Sequence, residues 1–89
     1  MVFTDLKETT DLMTSEDYKE RFIAEYVQTK IRYQRLHRVL VDYDAGKLRF
    51  APNCRIAILR EQKATMDRYL TMLEVRAEIE DIKLPEVEV

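Results

Sequence analysis

Apolar and polar positions alternate along residues 18 to 43 in a pattern that frames the whole chain. Phe22, Tyr26, Thr29, Tyr33, Leu36, Leu40 and Tyr43 follow one another at spacings of 4, 3, 4, 3, 4 and 3. That rhythm keeps one side of a helix turned toward a partner helix for about six turns. The same rhythm returns in Leu59, Gln62, Met66, Tyr69 and Leu73, which predicts a second helix facing the first. Between the two runs, Gly46 offers a left-handed cap, and Pro52 stops one helix from running into the next. The expected fold is an antiparallel helical hairpin.

Local signals set the expected bounds. Thr14 followed by Asp17 has capping-box spacing, and Met13 with Tyr18 has the spacing of a hydrophobic staple, so the first long helix is expected over 15–45. Glu16, Asp17, Glu20 and Glu25 crowd its first half while Lys30, Arg32, Arg35 and Arg38 crowd its second, in keeping with the helix dipole. The connector, 46–53, should lay Leu48 and Phe50 onto the helices. Asn53 is the expected cap of a second helix over 54–82. Residues 1–13 read as a short helix capped at Thr4, with Phe3, Leu6 and Met13 on one side, too short to stand alone. The tail, 83–89, contains Pro85 and reads as extended or disordered unless a partner orders it.

Composition narrows the class. With 46% apolar and 36% charged residues but one Gly and two Pro in 89 residues, the chain has the make-up of long helices and little of the punctuation strands need. It reads as one all-α domain, 1–89. A chain this short buries a thin core. Met72, Val75, Ile79 and Ile82, with Ile23, Val27, Ile31 and Val41, form more apolar surface than two helices cover, so a neighbouring subunit, the N-terminal segment or a target protein must take it, and a homo-oligomer is expected.

A net charge of −2 argues against a general nucleic-acid binder. One Cys excludes an internal disulfide, one His leaves no Cys/His zinc set, and no metal or cofactor is assigned. No apolar run is long enough to span a membrane, and residues 1–7 lack a signal-peptide pattern. A cytoplasmic protein is expected.

The densest chemistry is Lys30, Arg32, Tyr33, Arg35, His37 and Arg38. Guanidinium forks grip phosphate and a tyrosine face stacks on a base, so Lys30, Arg32, Tyr33, Arg35 and Arg38 are the expected ligand-binding residues. The plainer alternative, which weighs more heavily on residue statistics, is that these cations complement a helix C-terminus and lay their stems on apolar surface. His37 has no partner in sequence that would make it a base, and no catalytic residue is assigned. The tyrosines at 18, 26, 33, 43 and 69 read mainly as core, Cys54 as a packing residue, and Glu74, Glu78, Glu80 and Asp81 as a solvated acidic face.

Residues 16–82 resemble small helical-hairpin proteins of phages and prophages, of the crAss-like phage and gut Firmicutes type. The resemblance rests on DYKERFIAEYVQTKIRYQRLHRVLVDYDAGKL, the FAPNC connector and ILREQKATMDRYLTMLEVRAEIEDI. A weaker likeness is to phage anti-CBASS and anti-Thoeris sponge hairpins, carried by His37-Arg38-Val39-Leu40 with Tyr43. Asp44 stands where the sponge pattern has an arginine after its tyrosine. These resemblances imply a non-enzymatic counter-defence protein whose oligomer sequesters a cyclic-nucleotide or cyclic ADP-ribose signal. Two alternatives are a protein inhibitor of a host defence complex, of the anti-CRISPR kind, and a structural or regulatory helical adaptor.

Overall fold

The computed structural model describes all of Met1–Val89. In chain order the elements are β1 (Val2–Phe3), a 3-10 turn (Leu6–Thr9), α1 (Thr10–Met13), α2 (Tyr18–Asp44), α3 (Ile56–Ile79) and β2 (Glu86–Val87). The two long helices pack antiparallel against each other in a body 43 Å long and 24 by 19 Å across.

α2 begins three residues later than its sequence signals suggest. Thr14 Oγ1 donates to Thr10 O at 3.0 Å and so closes the preceding turn. The cap is Asp17, whose Oδ1 accepts from Lys19 N at 2.9 Å. The reciprocal capping box lies upstream instead. Asp5 Oδ1 accepts from Lys7 N at 2.8 Å, and Glu8 Oε1 accepts from Asp5 N at 3.0 Å. Thr4 donates to the same Glu8 oxygen through both its backbone N and its hydroxyl, which holds the Glu8 carboxyl below its ordinary pKa. Residues 1–13 are therefore a strand, a 3-10 turn and a four-residue helix rather than one short helix.

Both long helices end in a left-handed residue. After α2, Gly46 has φ +71°, Lys47 N donates to Asp42 O at 2.8 Å and Gly46 N to Tyr43 O at 3.0 Å. After α3 the left-handed position falls on Asp81, at φ +55°, and Ile82 N donates back to Ala77 O at 2.9 Å. Such a six-to-one bond returns the chain sharply and is commonly accompanied by an apolar contact between its two end residues. Here Ile82 and Ala77 are both buried in the core. Without that stop α3 would run on to 82, as the sequence pattern suggests.

α2 is covered on two sides, and this decides which residues form the core. Phe22 and Tyr26 are buried as expected, but the deepest positions are Val27 and Ile31, from the line that looked surplus to a hairpin. Leu70, Leu73 and Ala77 of α3 join them on one side; Phe3, Leu6 and Leu12 come from the N-terminal segment and Leu84 and Val87 from the tail. Farther along the expected stripe, Thr29, Tyr33 and Leu36 are half-buried and Tyr43 is exposed. On α3 the inward line is Leu59, Lys63, Met66, Leu70, Leu73 and Ala77, so Gln62 and Tyr69, expected inside, are exposed. A step of four from Met66 leads to Leu70 and a step of three to Tyr69; the aliphatic choice is the one that buries.

The tail is ordered by the chain itself. β2 pairs in parallel with β1, Val2 opposite Glu86 and Phe3 opposite Val87, and Glu88 N donates to Phe3 O at 2.9 Å. Gln34 Nε2 fastens the tail to α2 by donating to Val87 O at 3.3 Å. On the other flank Thr9, 1% exposed, accepts from Gln28 Nε2 at 2.8 Å and donates to Leu6 O at 2.7 Å, so its buried hydroxyl is satisfied on both counts. In the connector, Leu48 is half-buried and Phe50 is 58% exposed, so only the first of the two apolar side chains reaches the helices. No helix is long and apolar enough to cross a membrane.

Candidate functional site

The core fills the space between α2 and α3 from Phe22 to Ile31 and from Leu70 to Ala77, and then thins. Toward the connector, α3 offers Arg60, Lys63, Ala64 and Asp67, where a core would need branched apolar side chains. A methyl group and long polar stems cannot fill the gap, and a cleft of about 410 Å³ opens between the helices. Tyr33, His37, Leu40, Val41 and Asp44 of α2 form its other wall.

Tyr33 is the aromatic centre of this cleft. Lys30 Nζ lies 5.9 Å from its ring centroid and Lys63 Nζ 5.8 Å, one cation from each helix. At such distances the ammonium groups are held by the ring quadrupole. At the connector end Arg60 grips Asp44 through both terminal nitrogens, Nη1 to Oδ2 at 3.1 Å and Nη2 to Oδ1. Hydrogen bonding to Arg60 holds the Asp44 carboxyl below its ordinary pKa, and the same bond raises that of the guanidinium. Lys30, Lys63 and Asp67 have no ion-pair partner within the chain.

These contacts divide the sequence-derived set. Lys30 and Tyr33 meet at the cleft. Arg32, Arg35 and Arg38 are exposed and none of them lines it, because positions one, two and five residues from Tyr33 on a helix point away from its face, whereas His37, four residues on, shares it. Arg38 is engaged with Asp42, Nε at 3.1 Å and Nη2 at 2.7 Å from Oδ1. The residues that sequence reasoning left out are Arg60 and Lys63. They carry no local signal; they enter only because the hairpin returns α3 beside α2. His37 lines the cleft, and no three His, Cys, Asp or Glu side chains converge anywhere in the chain. Cys54 is free and exposed in the connector, so the packing role read for it is set aside.

At the opposite end of the hairpin, Tyr18, Arg76 and Glu80 form a second polar cluster. The Tyr18 hydroxyl donates to Glu80 Oε1 at 3.0 Å and accepts from Arg76 Nη2. Arg76 also donates to Glu80 through Nε at 3.2 Å and lies 4.8 Å from the Phe22 ring centroid. Bonding to Glu80 pushes the Tyr18 phenol pKa up. This cluster ties the first turn of α2 to the last of α3, and none of its three side chains lines a cleft.

The family model named Sequestin matches residues 16–79. The chain belongs to the Sequestin family. The matched span takes in both long helices and the connector, and with them every residue of the cleft, while β1, the 3-10 turn, α1 and β2 lie outside it. The Sequestin match therefore falls on the hairpin. No curated protein and no solved structure matches the chain.

Proposed function

We propose that this protein is a non-enzymatic counter-defence protein of phage or prophage origin that sequesters an anionic cyclic-nucleotide signal. The observation that carries the reading is the cleft itself: an aromatic ring flanked by lysines from two helices, within the span matched by a family whose name describes sequestration. A base takes the Tyr33 face by stacking as the Lys30 and Lys63 ammonium groups leave the ring for phosphate oxygens. The Asp67 carboxylate accepts from a ribose hydroxyl or an exocyclic amine. Leu40, Val41 and Ala64 supply apolar floor for the ligand rings.

Tight capture without chemistry needs affinity and slow release, and neither requires a nucleophile or a general base. The cleft has no activated pair of that kind: His37 makes no hydrogen bond to another side chain, and Cys54 lies outside it. The protein acts in this reading by lowering the free concentration of the signal, at a stoichiometry fixed by the number of clefts. Arg32, Arg35 and Arg38, on the outside of α2, contribute long-range attraction for the anion and contact it directly only where a neighbouring subunit brings them to a cleft.

The test is titration calorimetry of the purified protein with cyclic dinucleotides, cyclic trinucleotides and cyclic ADP-ribose isomers, followed by recovery of the ligand after heat denaturation. Saturable binding with intact ligand released supports sequestration. Conversion of the ligand would make the protein an enzyme, and no binding to any compound would remove the nucleotide reading.

A further inference from the structure

Phe50 is the one phenylalanine the fold does not use. Phe3 and Phe22 are 5% and 4% exposed, whereas Phe50, at the tip of the hairpin, is 58% exposed. Its surroundings are basic: residues 45–59 contain Lys47, Arg49 and Arg55 and no acid, and these three cations are exposed and outside every ion pair of the chain. The N-terminal segment and the tail have the opposite character. Residues 1–17 hold five acids against Lys7, and residues 78–89 hold five against Lys83. Both segments pack on the half of α2 that carries Phe22 to Ile31, away from the connector. The molecule is therefore a rod 43 Å long with a basic tip and an acidic far half.

The acidic half also holds an apolar groove of about 390 Å³, where the N-terminal segment and the tail meet α2. Phe3, Leu12, Ile23, Leu84 and Pro85 line it with Met1 and Lys83. Asp11 precedes Leu12 and Glu86 follows Pro85; both are exposed and neither is in an ion pair. A free apolar anion would be repelled by this acidic flank. An aromatic ring carried on a basic segment meets the opposite sign at the flank, and within the groove its face receives the Lys83 ammonium. The chain supplies such a segment in Phe50 and its neighbours. About 30 Å of α2 separates Ile23 from Asp44, so the tip of a molecule lies far from its own groove, and the ring that fits comes from a second copy.

We propose that the protein self-associates by placing Phe50 of one copy in the groove between the N-terminal segment and the tail of another, basic tip against acidic flank. Neither Phe50 nor any groove residue lines the Tyr33 cleft, so the inference stands apart from the identity of any ligand.

Sedimentation velocity of the full chain, over a concentration series from micromolar to millimolar, tests it. The wild type self-associates reversibly, and less tightly as salt rises, because the charges around the groove are screened. Phe50→Ser keeps its helical circular dichroism, since the side chain is outside the core, and lowers the association constant on the order of ten- to a hundredfold. Asp11→Lys/Glu86→Lys weakens association about tenfold by turning the flank basic. The first variant retains the groove and the second retains the tip, so an equimolar mixture of the two associates more tightly than either alone. A wild-type monomer throughout the series overturns the proposal, whether or not the tip then binds anionic vesicles or the groove a small apolar compound. Self-association that Phe50→Ser leaves intact overturns it as well. A mixture no tighter than its components would place Phe50 against Phe50 and overturn the docking in the groove.

Discussion

Arg60 holds Asp44 across the connector with two hydrogen bonds, so the last turn of α2 and the first turns of α3 are pinned at the one place where the helices share little core. The pin sets the width of the cleft mouth. Asp44 is depressed below its ordinary pKa of 3.8, so its contribution is present at neutral pH and is lost as pH falls through the still lower folded value. Asp44→Asn should therefore lower the thermal midpoint slightly near pH 7. The gap from wild type should stay constant down to about pH 5 and close below about pH 4. Because both groups are exposed the gap is small; a gap that persists in acid would assign it to something other than this pair.

Asp81 carries the left-handed turn that ends α3 without being glycine. Left-handed backbone costs an ordinary L-residue energy that glycine escapes. Asp81→Gly should stabilise by about 0.5–1 kcal/mol, raising the midpoint of a domain this size by about 2–8 °C. Asp81→Val should destabilise, since a β-branched side chain fits this region worst. A thermal melt of both variants decides it, and equal midpoints would mean that the turn is relaxed in solution.

The hairpin should open from the connector end. The core cluster lies between Phe22 and Ile31 on α2 and between Leu70 and Ala77 on α3, whereas in the other half Leu40 is the one fully buried side chain. Amide hydrogen exchange should be slowest at residues 24–31 and 70–77 and faster by at least an order of magnitude at residues 36–44 and 56–64. Ile31→Val should cost about 0.5–1.5 kcal/mol and speed exchange in the first group. Uniform protection along both helices would contradict the division.

How much of this was legible in the sequence follows from the range of the signals. The two long helices and Gly46 announce themselves because periodicity and caps are local. The spacing places the α3 register one residue off at Gln62 and Tyr69 because the tyrosine fits a stripe as well as Leu70 does until a partner is present. The N-terminal segment and the tail were illegible as a pair. Each is too short to form alone, and the contact that orders them joins residues 2–3 to 86–87. The candidate site was half legible: Lys30 and Tyr33 lie one turn apart, but Arg60 and Lys63 join them only through the fold.

Removing that terminal pair separates stability from binding. Deletion of residues 84–89 takes away β2, the Gln34 bond to Val87 and the half-buried Leu84 and Val87. The loss of apolar burial alone should cost about 2 kcal/mol, seen as a lower denaturation midpoint. Since the cleft and the matched family span lie outside the deleted residues, ligand affinity measured below the melting range should change less than about threefold, or about 0.7 kcal/mol. A larger loss would place the tail in the binding site.

Tyr33 offers the sharpest test of how the cleft binds. Its ring is approached by Lys30 and Lys63, and it is the one tyrosine in the cleft. If a base stacks there, the π-face matters and the hydroxyl matters little. Tyr33→Phe should then keep affinity for a bound cyclic nucleotide within about threefold, while Tyr33→Leu, of comparable apolar bulk, should lose about 1–3 kcal/mol, roughly 5- to 150-fold in Kd. Lys63→Ala should weaken binding as well and flatten its dependence on salt, because one phosphate contact is removed. Calorimetry at two salt concentrations measures both effects. Equal affinities for Tyr33→Phe and Tyr33→Leu would mean that the ring serves only as a wall, and the stacking account of the cleft would have to be withdrawn.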